Sequence, residues 1–129
     1  MRRAIVSLLL SFVASVVVPV ASAPDPLSVS VGGVWVCKIT QPAAGFTPQQ
    51  RVSEANKRIT EVISRLRQAD RVTVVVEPFG SAAKVTVNGI LVFTLIPADV
   101  PAPGVALAEY ARQVAARLQK GIVNGLPGR

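Results

Sequence analysis

Residues 71–96, RVTVVVEPFGSAAKVTVNGILVFTLI, decide the fold. Asn88-Gly89 lies between two β-rich runs, and Asn-Gly is the dipeptide that best tolerates the positive φ angles of a two-residue hairpin turn. With those two residues as the loop, Val87 faces Ile90, Val85 faces Val92, and Ala83 and Thr94 share their face of the sheet. The opposite face then carries Lys84, Thr86, Leu91, Phe93 and Leu95. Upstream, Val72, Val74 and Val76 alternate with Thr73, Val75 and Glu77, and Pro78-Phe79-Gly80-Ser81 supplies a turn. The stretch predicts a three-stranded antiparallel meander whose valine face is core.

Working outward, Leu27 to Ile39 repeats the plan. Strict alternation is interrupted by Gly32-Gly33, so that Val31 faces Val34 and Val29 faces Val36. VSVGGVWV from Val29 aligns with VTVNGILV from Val85 at a constant offset of 56 residues. A loop with Pro and Ala and then an amphipathic segment follow each hairpin, which reads as a ββα unit used twice, or as two hairpins alike because x-Gly turns and valine alternation look alike. In the first helix Thr47 is the N-cap, Pro48 the first helical residue and Gln50 the third, a capping box. Val52, Ala55, Ile59, Val62, Ile63 and Leu66 form its apolar stripe. Its other side carries Arg51, Lys57, Arg58, Arg65 and Arg67, with Glu54 and Glu61 each four residues before an arginine, and reads as a solvated, ion-paired face. The proline-rich loop Ile96 to Gly104 precedes a second stripe, Leu107, Tyr110, Ala111, Val114 and Leu118, with Gly121 as the helix stop.

The fold class expected is α+β: an antiparallel sheet of about five strands, two x-Gly hairpins plus one strand, with two helices on one face. The expected organisation is a signal peptide over residues 1–23, a linker over 24–26, one domain over 27–121 and a loosely held tail over 122–129. Met1-Arg2-Arg3, the apolar run Ala4 to Val18 and the A-x-A pattern of Ala21-Ser22-Ala23 make the secretory signal. Pro24 fits poorly after the cut. Uncut, Ala4 to Ala23 is about the 20 residues that a membrane anchor needs. The location expected is therefore extracytoplasmic, periplasmic or secreted, with membrane contact only if that segment stays.

Of 129 residues, 50% are hydrophobic and 16% charged, and the formal net charge is +7. Without Arg2 and Arg3, 12 basic residues face seven acidic ones, a net +5. That excess admits anionic envelope polymers or nucleic acid as partners, yet no aromatic residue is interleaved with the helix arginines for base stacking, which disfavours nucleic acid. Histidine is absent and Cys37 is the single cysteine. A Cys/His zinc site, a Ser-His-Asp triad, a Cys-His dyad and an internal disulfide are thereby excluded, and no phosphate or calcium loop motif is present. Among the acids only Glu77 and Asp99 follow strands, and both are flanked by prolines, so they read as turn residues; a carboxylate-dependent enzyme is the alternative. No catalytic, cofactor or metal residue is assigned. Cys37, on the side of its strand shared with Trp35, reads as a small buried hydrophobe or as a thiol for an intermolecular bond.

Trp35, Leu91 and Phe93 are the candidate binding residues. All three fall opposite the valine face and would form an apolar surface for a protein partner or a second copy, unless a loop such as Pro97 to Gly104 covers them. The order of motifs, Val29 to Val36, Gln50 to Ile59, Val85 to Val92 and Ala98-Asp99, resembles the small N-terminal periplasmic module of cyanobacterial-type mechanosensitive channel proteins, also found as stand-alone exported proteins. The channel region is absent here, so no channel function follows. A fainter likeness, in the Val-Asn-Gly strand, is to the periplasmic BON domain. The resemblance implies a non-catalytic, envelope-facing binding or interaction module.

Overall fold

A computed structural model describes residues 25–67 and 70–126. The expected signal segment, residues 1–23, lies outside the described residues. The chain is α+β, with two helices and two antiparallel sheets. Strands β1 (Ser28–Val31) and β2 (Val34–Lys38) form one sheet; β3 (Val74–Phe79), β4 (Ala82–Val87) and β5 (Ile90–Leu95) form the other in that order. Helix α1 (Pro48–Arg65) follows the first hairpin, and a 3-10 turn (Pro97–Asp99) and helix α2 (Leu107–Gly125) follow the second. The two hairpins thus occupy separate sheets, which corrects the expectation of one shared sheet. Among the described residues, no helix is long and apolar enough to cross a membrane.

Both turns form as the sequence indicates, with Gly32, Gly33, Asn88 and Gly89 all at positive φ. Beyond two residues the expected register fails, in the same way in each hairpin. Val31 pairs with Val34 and Ser30 with Trp35, but Val29 then pairs with Cys37; Val87 pairs with Ile90 and Thr86 with Leu91, but Val85 then pairs with Phe93. One extra residue, Val36 or Val92, enters the second strand as a β-bulge. The bulge turns the residue after it toward the core, so Val36 and Cys37 are both fully buried, and Phe93 is buried beside Val92. Leu95 likewise lands on the core face, opposite Ala83.

Helix α1 begins at the expected capping box: the Gln50 amide donates to Thr47 Oγ1 at 3.1 Å and the Thr47 amide to Gln50 Oε1 at 2.9 Å. Val52, Ala55, Ile59 and Val62 are buried, while Ile63 and Leu66 are half-buried against the same core. Helix α1 lies against β5 and β1; α2 lies against β2, β3, β4 and β1, and so joins the two sheets. Val85, Val87, Val62, Val114 and Leu118 meet in one core cluster with Val29 and Val36. Each valine fully withdrawn from water there contributes about 1.5 kcal/mol or more.

Gly121 does not stop α2. The helix continues to Gly125, and Ile122 and Leu126 are core residues, so the described part of the expected loose tail, residues 122–126, is packed. The reason is a close backbone crossing. A Cβ on Gly121 would lie 2.5 Å from the Val31 carbonyl oxygen, and one on Gly32 would lie 2.1 Å from the Gly121 carbonyl oxygen. Glycine at 121 therefore serves the contact between α2 and the β1–β2 turn rather than helix termination. The expected linker is also partly built in: Asp25 accepts from the Leu27 amide at 2.9 Å and pairs with Lys38 at 3.3 Å.

Alanine ordinarily stabilises a helix by about 1 kcal/mol over glycine. Here Gly121→Ala is expected to destabilise by about 1–3 kcal/mol through overpacking, measured by urea denaturation. A raised midpoint would contradict the close crossing.

Candidate functional site

The three candidate binding residues do not form one surface. Trp35 belongs to the smaller sheet, where it is 48% exposed. Its indole N–H donates to Ser28 Oγ at 3.3 Å, and the Arg117 guanidinium stands 5.2 Å from its ring centre. Phe93 is only 6% exposed and sits on the core face, because the bulge rotates it there; the expectation of an outward Phe93 is corrected. Leu91 stays on the outer face, half-buried in line with Thr86 and Val75.

Leu91 and Phe93 nevertheless meet at a cleft of about 620 Å³ that runs beside β5. Leu91 to Thr94 and Ile96 form one side, Arg51, Glu54, Ala55 and Arg58 of α1 another, and the lining is completed by Ile39, Ala43, Ala44 and Phe46 and by the β3–β4 turn, Phe79 to Ala82. That volume is in the range of small-molecule sites, and the walls are mainly apolar. Phe46 and Phe79 are the aromatic lips, 47% and 57% exposed.

Each lip is held by local backbone chemistry. Ala43 and Phe46 exchange both backbone hydrogen bonds, at 2.9 and 3.1 Å, across a two-residue turn. Ala44 and Gly45 both adopt positive φ there, +53° and +84°. An alanine in that region costs about 1–2 kcal/mol, so the turn that carries Phe46 to the cleft is strained. Phe79 ends β3 beside the Gly80-Ser81 turn, and Lys84 Nζ lies 4.0 Å above its ring. Sequence reasoning missed both lips. The available signal was an Ala-Gly dipeptide before a phenylalanine, in a loop otherwise noted only for proline and alanine.

The charge beside the cleft is already committed. Arg51, expected on the solvated helix face, is instead buried: Nη1 and Nη2 each lie 2.8 Å from an oxygen of Asp99, whose side chain is fully inaccessible. Nη1 also donates to the Gln41 carbonyl at 2.7 Å and Nη2 to the Thr94 carbonyl at 3.0 Å. Asp99 Oδ2 accepts the Ile96 amide at 2.9 Å as well, the structural turn role expected for it. Glu54 and Arg58 form the expected i,i+4 pair at 3.1 Å, half-exposed at the cleft. Chemically the site offers apolar walls, aromatic lips and one rim ion pair. No cluster of three or more His, Cys, Asp or Glu suited to a metal occurs among the described residues.

Cys37 is closed to chemistry. Burial, and then the Asp99 carboxylate, push its thiol up from an ordinary 9.0 to about 12, although Arg117 and Arg51 pull the other way. A buried, protonated thiol neither attacks nor ligates, which leaves the small-hydrophobe reading and removes the intermolecular bond.

Removing the buried carboxylate tests the centre of this arrangement. Asp99→Asn leaves the Arg51 guanidinium without its counter-charge and is expected to cost about 3–5 kcal/mol in chemical denaturation. Glu109→Gln, which removes an exposed carboxylate paired with Arg112 in the first turn of α2, should cost far less. Equal effects would show that the buried pair is not special.

A family model described as a domain of unknown function, DUF8459, matches residues 28–125. No curated protein and no solved structure matches the chain.

Proposed function

The chain belongs to the DUF8459 family, and from that premise we propose that it is an exported, non-catalytic binding module of the cell envelope whose site is the cleft beside β5. The observation that carries the reading is the pair of half-exposed aromatics, Phe46 and Phe79, at the mouth of an apolar cleft of about 620 Å³. Exposed aromatics at such a mouth lose water on binding and supply much of the affinity. The ligand is an apolar group, such as an acyl chain or an apolar peptide side chain. The Arg51 charge is neutralised by Asp99, and the Arg58 charge is paired at the rim. An anionic polymer gains little from either. Catalysis by carboxylates is disfavoured on the same ground, since Asp99 is occupied by Arg51 and the Ile96 amide.

The module is built from one ββα plan used twice, with β3 between the copies. Support comes from the identical register and bulge in both hairpins. It comes also from the helices: Ala55, Ile59 and Val62 of α1 and its C-cap Leu66 precede Ala111, Ala115, Leu118 and Ile122 by the same 56 residues, and all are buried but Leu66, which is half-buried against the core.

Titration with a fluorescent naphthalene-sulfonate probe tests the site. Phe46→Ser and Phe79→Ser, at exposed positions, are expected to weaken binding at least fivefold while the melting temperature is held; unchanged binding in both would end the cleft reading. The channel-module resemblance and the signal architecture of Met1 to Ala23 support export. N-terminal sequencing of the expressed protein is expected to begin near Pro24, or the intact chain to fractionate with membranes. A soluble cytoplasmic chain that retains Met1 would contradict export.

A further inference from the structure

The two hairpins share their turn, register and bulge, yet their outer edges differ. In the second hairpin the free side of β4 is taken by β3, antiparallel, with Val75 opposite Thr86 and Val76 opposite Val85. Fifty-six residues earlier, Thr86 corresponds to Ser30 and Val85 to Val29, and among the described residues β1 has no strand on that side. Val31 and Val34 close the two-residue turn, so their amides and carbonyls point across the hairpin. By alternation those of Ser30 point away from it, toward the side on which no strand lies among the described residues. Ser30 is exposed.

Other strand edges in the molecule are guarded. The Val36 carbonyl on β2 accepts from Arg117 Nε at 2.9 Å, and the Thr94 carbonyl on β5 accepts from Arg51. β3 carries Glu77 and Pro78, both of which discourage a further strand. β1 is SVSV, with neither charge nor proline.

We propose that β1 is a strand-addition edge and that its occupant is β1 of a second copy of this chain. A twofold axis makes β1 and its mate antiparallel, the same relation that β3 bears to β4. With Ser30 opposite Ser30 of the mate, the two exchange N–H to carbonyl hydrogen bonds, and Val29 falls opposite the mate's Val31. The valines of both strands then stay on the core side, as Val74 and Val76 do on β3. The product is a continuous four-stranded sheet, β2–β1–β1–β2, in place of a two-stranded ribbon, and the isologous contact closes on itself. This interface is made by Ser28–Val31, none of which lines the cleft, so it stands or falls apart from the cleft reading.

Sedimentation equilibrium of the exported protein tests it. The wild type is expected to show a monomer–dimer equilibrium, and Ser30→Lys, which brings two like charges together on the axis at an exposed position, to weaken it at least tenfold with an unchanged monomer melting temperature. Ser30→Pro, which removes the edge donor, is expected to do the same. A wild type that stays monomeric at millimolar concentration overturns the proposal, as does a Ser30→Lys dimer as tight as wild type. A monomeric wild type that instead binds a peptide of residues 71–79 would assign the edge to a foreign strand and equally overturn self-pairing.

Discussion

The Arg51–Asp99 pair is the constraint on which the arrangement of this domain depends. Burying two charges is costly unless every donor and lone pair facing the interior is used. Here the guanidinium is forked onto both carboxylate oxygens and also holds the Gln41 and Thr94 carbonyls, while the carboxylate takes the Ile96 amide. Four separate pieces of chain are thereby fixed to one another: the first turn of α1, the loop before it, the end of β5 and the 3-10 turn. None of these pieces is adjacent to all the others in sequence. The side of the cleft that includes Arg51 is thus rigid, and it is electrostatically quiet although an arginine lines it.

The paired bulges shape what that rigid frame encloses. A bulge puts two residues of one strand against one of its partner, which lets two side chains turn inward where alternation would allow one. The first hairpin uses this to bury Val36 and Cys37 together, the second to bury Val92 and Phe93. Phe93 consequently joins the core while its strand still borders the cleft. Cys37, at the matching place in the other hairpin, fills core space and is protected from reagents by the same burial that raises its pKa.

Helix α2 joins the two sheets by approaching one of them very closely. Glycine at 121 and at 32 lets the helix backbone meet the turn without intervening side chains. A two-stranded ribbon by itself is marginal in water, and this crossing adds to the packing of β1 against α1 in holding the first hairpin to the rest. The proposed cleft lies where α1 meets β5, and two phenylalanines are left half in solvent there.

The sequence by itself determined the elements. Thr47-Pro48 and Gln50 started α1 where a reciprocal cap is chemically possible, Asn88-Gly89 and Gly32-Gly33 set both hairpin turns, and the 3–4 spacing of apolar residues gave both buried helix stripes. These are local matters of backbone geometry and periodicity, legible within a few residues. The absence of histidine and the single cysteine also bounded the chemistry without any coordinates. Tertiary structure alone decided the rest. A bulge leaves no mark in an alternating valine strand, because Val36-Cys37 and Val92-Phe93 are apolar on either register; only packing against the helices selects one. Arg51 was indistinguishable from Arg58 until Asp99, 48 residues away in sequence, was brought to it. Gly121 looked like a helix stop because the backbone it must admit belongs to a turn some 90 residues earlier in the chain. Phe46 and Phe79 became one site for the same reason: what unites them is a distance across the fold, which no local pattern encodes.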